Sequence, residues 1–201
     1  MTAIVDYEAG NILSVKNALT RLGVAFEVTS DPARLRSAYH VILPGVGEAS
    51  SAMSILNVPL SSGESLSDVI LSLKAPVLGI CIGLQLLCAS SEEGETNCLG
   101  IFSPTVKRFP SDAGEKVPHM GWNTVNDLKG PLFKGIPKGS FFYFVHSFYP
   151  EIAEGQTVAV TEYAGCRFSA ALQKDNFYGT QFHPEKSGAA GSMLLSNFLS
   201  I

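Results

Sequence analysis

The sequence predicts an α/β fold: an open, three-layer mixed sheet with a mostly parallel core and an antiparallel extension. Three observations carry this. Short strands alternate with helical stripes through the first half of the chain. Those strands are apolar at nearly every position, the pattern of parallel strands covered on both faces. The second half holds apolar strand segments with no long helices between them, which fits antiparallel pairing.

Ala3-Ile4-Val5-Asp6 is the first strand. Asn11 caps a helix whose residues Ile12, Val15, Leu19 and Leu22 recur at helical spacing, and Gly23 ends it. Val24-Ala25-Phe26-Glu27-Val28 is the second strand. Ser30-Asp31-Pro32 opens a short helix, with proline at its first position. Val41-Ile42-Leu43 is the third strand and runs into the loop Pro44-Gly45-Val46-Gly47. Residues 57–63 carry no recognisable pattern, and Leu66, Val69, Ile70 and Leu73 mark the next helix. Val77-Leu78-Gly79-Ile80 is the fourth strand. Beyond it, 105–109, 141–145, 158–161 and 168–172 read as strands. Lys174-Asp175-Asn176 has the residues of a hairpin turn joining 168–173 to 177–182. Met193, Leu194, Leu195, Phe198 and Leu199 mark the last helix. No repeat, low-complexity segment or linker divides the chain, so a single domain over residues 1–201 is expected.

A chain of 201 residues can bury a core without disulfides or metal. Its 14 basic and 18 acidic side chains leave a net charge of −4, which argues against nucleic acid as a partner. No apolar run is long enough to span a bilayer. The start Met1-Thr2-Ala3-Ile4-Val5-Asp6 lacks the basic region and cleavage site of a signal peptide. Cys81, Cys88, Cys98 and Cys166 form no Cys-x-x-Cys pair and no zinc spacing, so no metal is expected and a reducing cytoplasm fits. Cys88, two helical turns past Cys81, reads as packing.

The chemistry concentrates where the fourth strand ends. Gly79-Ile80-Cys81-Ile82-Gly83 is a Gly-x-Cys-x-Gly turn between a strand and a helical pattern, the shape of a nucleophile elbow. Such a turn presents one side chain at the end of a sheet, where parallel sheets bind their ligands. Its sulfur would sit beside the free N–H groups and positive dipole end of a helix. A buried core cysteine is the plain alternative. A nucleophile also needs a base and a group to orient that base. His183-Pro184-Glu185 offers both: in an extended segment the two side chains point the same way, and proline restricts the backbone around them. Glu185 would then accept from the His183 ring and fix its tautomer. Acyl transfer further needs N–H donors for an oxyanion. Ile82 supplies the one directly after the nucleophile, and the Pro44-Gly45-Val46-Gly47 loop, through Val46, is placed to supply the other.

Gly79-Ile80-Cys81-Ile82-Gly83-Leu84-Gln85 with His183-Pro184-Glu185 resembles the triad-type class I glutamine amidotransferases, whose fold is flavodoxin-like. Pro44-Gly45-Val46-Gly47, Pro118-His119-Met120-Gly121-Trp122-Asn123, Phe144-Val145-His146-Ser147 and His183-Pro184-Glu185-Lys186-Ser187 narrow the resemblance to the glutaminase subunits of imidazole glycerol phosphate synthase. It runs from Asp6 to the C-terminus. The resemblance implies that Cys81 attacks the side-chain amide of glutamine, that His183 protonates the departing ammonia, and that water hydrolyses the γ-glutamyl thioester. It implies a heterodimer with a barrel-shaped cyclase subunit, which uses the ammonia to make imidazole glycerol phosphate and aminoimidazole carboxamide ribotide in histidine biosynthesis. No cofactor is implied. Gly47, Gln85, Glu93, His146 and Ser147 would hold the glutamine, and Asn11, His119, Trp122, Tyr143 and Lys186 would lie at or near the cyclase interface.

The residues bear some of this out unaided. Gln85 is one helical turn past Cys81 and can face the same pocket. Glu93 could accept from a substrate ammonium, but Ser91-Glu92-Glu93-Gly94 reads equally as a solvated helix end. His146 is either structural or a second-choice base. Trp122, the one tryptophan, is either core or an interface anchor. Phe148 stands where the family has tyrosine, and Ile82 and Leu84 where it has leucine and methionine. Other readings are a paralogous subunit feeding a sugar-modifying synthase in surface-polysaccharide biosynthesis, a cysteine hydrolase such as a γ-glutamyl hydrolase or peptidase, and a non-catalytic flavodoxin-like binding domain.

Overall fold

The computed structural model describes residues 1–8, 12–45, 47–111 and 114–201. In chain order its elements are β1 (Thr2–Val5), α1 (Leu13–Arg21), β2 (Phe26–Thr29), α2 (Pro32–Ser37), β3 (His40–Leu43), α3 (Ala49–Leu56), α4 (Leu66–Ser72), β4 (Val77–Ile80) and α5 (Ile82–Leu87). There follow β5 (Ser90–Ser91), β6 (Thr96–Asn97), β7 (Thr105–Arg108), β8 (His119–Thr124), β9 (Phe141–His146) and β10 (Phe148–Pro150). The chain ends with β11 (Thr157–Tyr163), β12 (Cys166–Lys174), β13 (Phe177–Thr180) and α6 (Gly188–Phe198). Short 3-10 turns occupy Glu93–Glu95, Pro131–Phe133 and Pro184–Lys186.

Seven strands form the main sheet in the order β11-β12-β13-β4-β3-β1-β2. The five from β13 to β2 run parallel, while β12 and β11 pair antiparallel at the far edge. This is the expected mixed sheet, with one difference. The last strand of the hairpin does not stay in an antiparallel flank. The turn at Lys174-Asp175-Asn176 returns β13 alongside β4, with Gly179 opposite Gly79. That insertion gives β4 a partner on each side and makes it a central strand. Every residue of β1, β4 and β13 is buried, as covering on both faces requires.

Local chemistry explains the helix ends. The Asp31 carboxylate accepts from the Ala33 N–H at 2.8 Å, ahead of Pro32 at the first helical position. Ser65 and Asp68 form a reciprocal capping box on α4, and each such cap contributes about 1 kcal/mol. Gly23, at φ +70°, follows the C-cap of α1 as expected. Ile12 occupies the N-cap position of α1, and the expected cap, Asn11, lies outside the described residues.

A four-stranded sheet (β10-β7-β5-β6) and a two-stranded ribbon (β8-β9) complete the fold. The ribbon alternates cleanly. Phe142, Phe144 and His146 point inward, and Phe142 and Phe144 pack on Phe182 with ring centroids 4.1 and 5.7 Å away. The opposite face carries Met120, Trp122 and Phe141, each more than half exposed. Among the described residues no helix is long and apolar enough to cross a membrane.

Candidate active site

Cys81 sits between β4 and α5 at φ +54°, ψ −107°. A non-glycine residue held at positive φ is strained, and such strain persists only where surrounding structure enforces it. Here the close packing of backbone around three glycines enforces it. A Cβ on Gly79 would lie 2.6 Å from the Gly83 carbonyl oxygen, and one on Gly83 would collide with the carbonyl of Leu43. A Cβ on Gly45 would lie 2.7 Å from the Gly83 nitrogen. These residues let the first turn of α5 rest directly on the sheet backbone. Tyr7, which the motif reading did not single out, donates to the Pro44 carbonyl at 2.6 Å and so ties the loop after β3 to the elbow. Burial, followed by the charge of Cys81, pushes the Tyr7 hydroxyl pKa up and keeps it a donor.

His183 and Glu185 meet as expected: Nδ1 lies 2.8 Å from Oε1, with the side chains 3% and 4% exposed. The local geometry differs from the expectation. Only His183 is extended (φ −97°, ψ 95°); Pro184–Lys186 is a 3-10 turn, and that turn, rather than strand alternation, brings the carboxylate back to the ring. His183 is pinned by its own N–H to the Tyr143 carbonyl at 2.9 Å and by the Ser187 hydroxyl, which donates to the His183 carbonyl at 2.6 Å. Nε2 has no hydrogen bond of good geometry among the described residues; the Cys81 sulfur is the group close enough to act on it. Burial disfavours the imidazolium, yet the charge and hydrogen bonding of Cys81, followed by Glu185, outweigh it and lift the pKa from 6.5 to about 10.

Cys81, Ile82 and His183 line a cavity of about 340 Å³. Gly47, Gln85, Glu93, His146 and Ser147 line it too. Gly47 takes φ +107°, a conformation that suits glycine. Glu93 is half-buried in a 3-10 turn, not at a solvated helix end. One of its oxygens accepts from the Ala49 N–H at 2.8 Å, and burial raises its pKa. Gln85 is buried and its Oε1 lacks a partner among the described residues. His146 is fully engaged. Its Nδ1 bonds to the Phe148 carbonyl at 2.7 Å and its Nε2 to His119 Nδ1 at 3.0 Å. Because a carbonyl only accepts, Nδ1 carries the proton. Burial, chiefly, lowers its pKa to about 3. This neutral ring with both nitrogens occupied does not serve as the second-choice base. Among the described residues no cluster of His, Cys, Asp or Glu is arranged to hold a metal ion.

Residues 3–201 match the profile of the family described as Glutamine amidotransferase class-I. Over 200 residues the chain is 55% identical to "Imidazole glycerol phosphate synthase subunit HisH" of Bacteroides fragilis, covering 99% of this chain and 98% of that one. The chain belongs to the HisH family of class I glutamine amidotransferases. The Haemophilus influenzae HisH is 47% identical over 98% of this chain and 95% of its own length. A solved glutamine amidotransferase matches with a TM-score of 0.72 at 18% identity, over 98% of this chain and 97% of that one, and so shares the fold.

The HisH-family motifs land on two surfaces. The elbow, the His-Pro-Glu turn and the five residues expected to hold the glutamine converge on the cavity. Trp122, Tyr143 and Lys186 form a patch at its edge: Trp122 is 56% exposed and stands edge-on to Tyr143 at 6.1 Å, and the Lys186 ammonium lies 5.8 Å from the Tyr143 ring centre. Lys186 belongs to both, since it also lines the cavity. The core alternative for Trp122 is thereby excluded. His119 is 3% exposed and stacked between Tyr163 at 3.9 Å and Phe144 at 4.6 Å, so it supports from inside the ribbon that carries Trp122. Asn11 and Val46 lie outside the described residues. The change to Phe148 costs the site little on the inner side, where its main-chain carbonyl, not its ring, receives His146 and Gln85.

Proposed function

We propose that this chain, acting as one cytoplasmic amidotransferase domain, hydrolyses L-glutamine to L-glutamate and ammonia through a γ-glutamyl thioester on Cys81. The observation that carries the reading is a cysteine held at positive φ beside a buried His–Glu pair, both opening on one small polar-edged cavity. The Cys81 proton passes to His183, and the sulfur attacks the side-chain amide carbon. The carbon–nitrogen bond breaks and ammonia leaves with the proton from His183. Water then gives a proton back to His183 and cleaves the thioester. Glu185 holds the ring in the needed tautomer and stabilises its charge. The N–H of Ile82 receives the oxyanion at each tetrahedral stage, and Val46 is the second donor the sequence motif implies. Gln85 Oε1, a buried acceptor without a partner among the described residues, suits a substrate N–H, and the second oxygen of Glu93 suits the substrate ammonium. Gly47, His146 and Ser147 shape the rest of the cavity.

In this proposal the ammonia goes to a cyclase subunit that makes imidazole glycerol phosphate and aminoimidazole carboxamide ribotide in histidine biosynthesis. The relatives' names support this, as does the Trp122–Tyr143–Lys186 patch at the cavity edge. The test is glutamine hydrolysis with the cyclase subunit and its ribotide ligand present. Cys81→Ala should abolish it; full activity in that variant would sink the proposal. Rescue of a histidine auxotroph separates it from a subunit feeding a sugar-modifying synthase.

A further inference from the structure

We infer that Gln181 is a further catalytic residue, the hydrogen-bond donor that holds the Cys81 sulfur as negative charge develops on it; the inference rests on the reading of Cys81 as nucleophile. Gln181 is fully buried just past β13, the strand paired with the nucleophile's own strand. Its main-chain N–H donates to the Ala170 carbonyl at 2.8 Å, which fixes where its side chain begins. Its Nε2 lies 3.7 Å from Cys81 Sγ. Its Oε1 accepts from Gln85 Nε2 at 2.9 Å.

The two ends of an amide are alike in shape, so which end faces the sulfur needs an independent argument. The Phe148 carbonyl supplies it. A main-chain oxygen accepts and cannot donate. Gln85, 2.9 Å from it, must therefore turn its NH2 group that way. The Gln181 atom that meets the same NH2 group must be an oxygen. The Gln181 NH2 group is then left on the sulfur side. His146 Nδ1 donates to the same carbonyl at 2.7 Å and takes its second lone pair, so no other arrangement of this set satisfies the buried oxygen as well. One main-chain acceptor thus orients Gln85, Gln181 and His146 together.

Besides Gln181 and His183, the sulfur's other contact among the described residues is a weak one, to the Val145 carbonyl at 3.9 Å. When its proton moves to His183 Nε2, the sulfur becomes a charged acceptor, and hydrogen bonds to charged acceptors are roughly twice as strong as neutral ones. Gln181 therefore contributes more to the thiolate than to the thiol. A donor that only filled space would not discriminate between the two.

The test is alkylation of the full chain by iodoacetamide across pH, with Cys81 and the half-buried Cys98 quantified separately by peptide mass spectrometry. Gln181→Met keeps the volume and removes the donor. It should slow Cys81 alkylation about tenfold at neutral pH, as expected from loss of one hydrogen bond to a charged group, and move its profile to higher pH. Cys98 should be unchanged. Gln181→Glu keeps the shape and sets a carboxylate beside the sulfur, and should slow Cys81 further. A Cys81 profile that superimposes on the wild type in Gln181→Met would overturn the inference. Should that variant fail to fold, an unchanged profile in Gln181→Glu overturns it equally. Wild-type Cys81 no more reactive than Cys98 would instead overturn the nucleophile reading, and this inference with it.

Discussion

Replacing Glu185 by glutamine probes the proposed triad through stability as well as rate. The change removes one charge 2.8 Å from His183 Nδ1, in a place where neither side chain is more than 4% exposed. The rise of the His183 pKa from 6.5 to about 10 represents a preference for the imidazolium in the folded chain, worth about 5 kcal/mol at the usual conversion. Cys81 contributes more of that rise than Glu185 does, and breaking a buried ion pair by removing one partner costs on the order of 3 kcal/mol. The sign follows from the direction of the shift. A raised folded-state pKa gives stability that is fully present below 6.5 and is lost as pH rises through about 10. Urea unfolding of wild type and Glu185→Gln across that range should therefore show a gap that is widest at the acid end and closes toward the alkaline end. A gap that stays constant with pH would refute the reasoning, because it would mean that Glu185 stabilises something other than a charged His183. The same variant should lose glutamine turnover by up to about 10⁴-fold, the loss seen when a triad carboxylate becomes an amide.

Gly83→Ala sets a Cβ against the Leu43 carbonyl, with backbone on both sides of the contact. It should destabilise the fold by about 1–3 kcal/mol in urea unfolding, the usual range for overpacking, and displace Cys81 enough to lower turnover. Trp122→Ala removes a side chain that is 56% exposed. Its melting should stay within about 0.5 kcal/mol of wild type, while affinity for the cyclase subunit, measured by titration calorimetry, should weaken by about 2 kcal/mol or more. Unchanged affinity would remove Trp122 from the partner surface.

Most of what positions Cys81 is legible in the sequence, because it depends on residue types with strong local preferences. Apolar strands, capping residues and the glycines of the elbow announce themselves within a few residues. Gly79, Cys81, Gly83, His183 and Glu185 could all be picked out this way. What escaped depends on the main chain or on tertiary contacts. The Phe148 carbonyl organises Gln85, His146 and Gln181, but any residue at that position would bring a carbonyl. His119 sits in a motif that reads as a partner surface, yet strand alternation on β8 turns it inward and Trp122 outward. Two-residue strands such as β5 and β6 carry no period to detect. Helix α3, with buried Ala49, Ala52, Met53 and Leu56, has a readable stripe among its serines that no cap announces. The His-Pro-Glu pairing was found through the chemistry of its side chains, although the turn that achieves it is not the extended one expected.

The central claim is a covalent one, that the glutamine carbonyl passes through the sulfur of Cys81. The most direct measurement is acid quenching of the full chain with its cyclase partner during glutamine turnover, followed by mass analysis of the Cys81 peptide. A γ-glutamyl adduct on Cys81 should accumulate during turnover and disappear when glutamine is exhausted. Continued hydrolysis with an unmodified Cys81 peptide, or an adduct on a different residue, would contradict it.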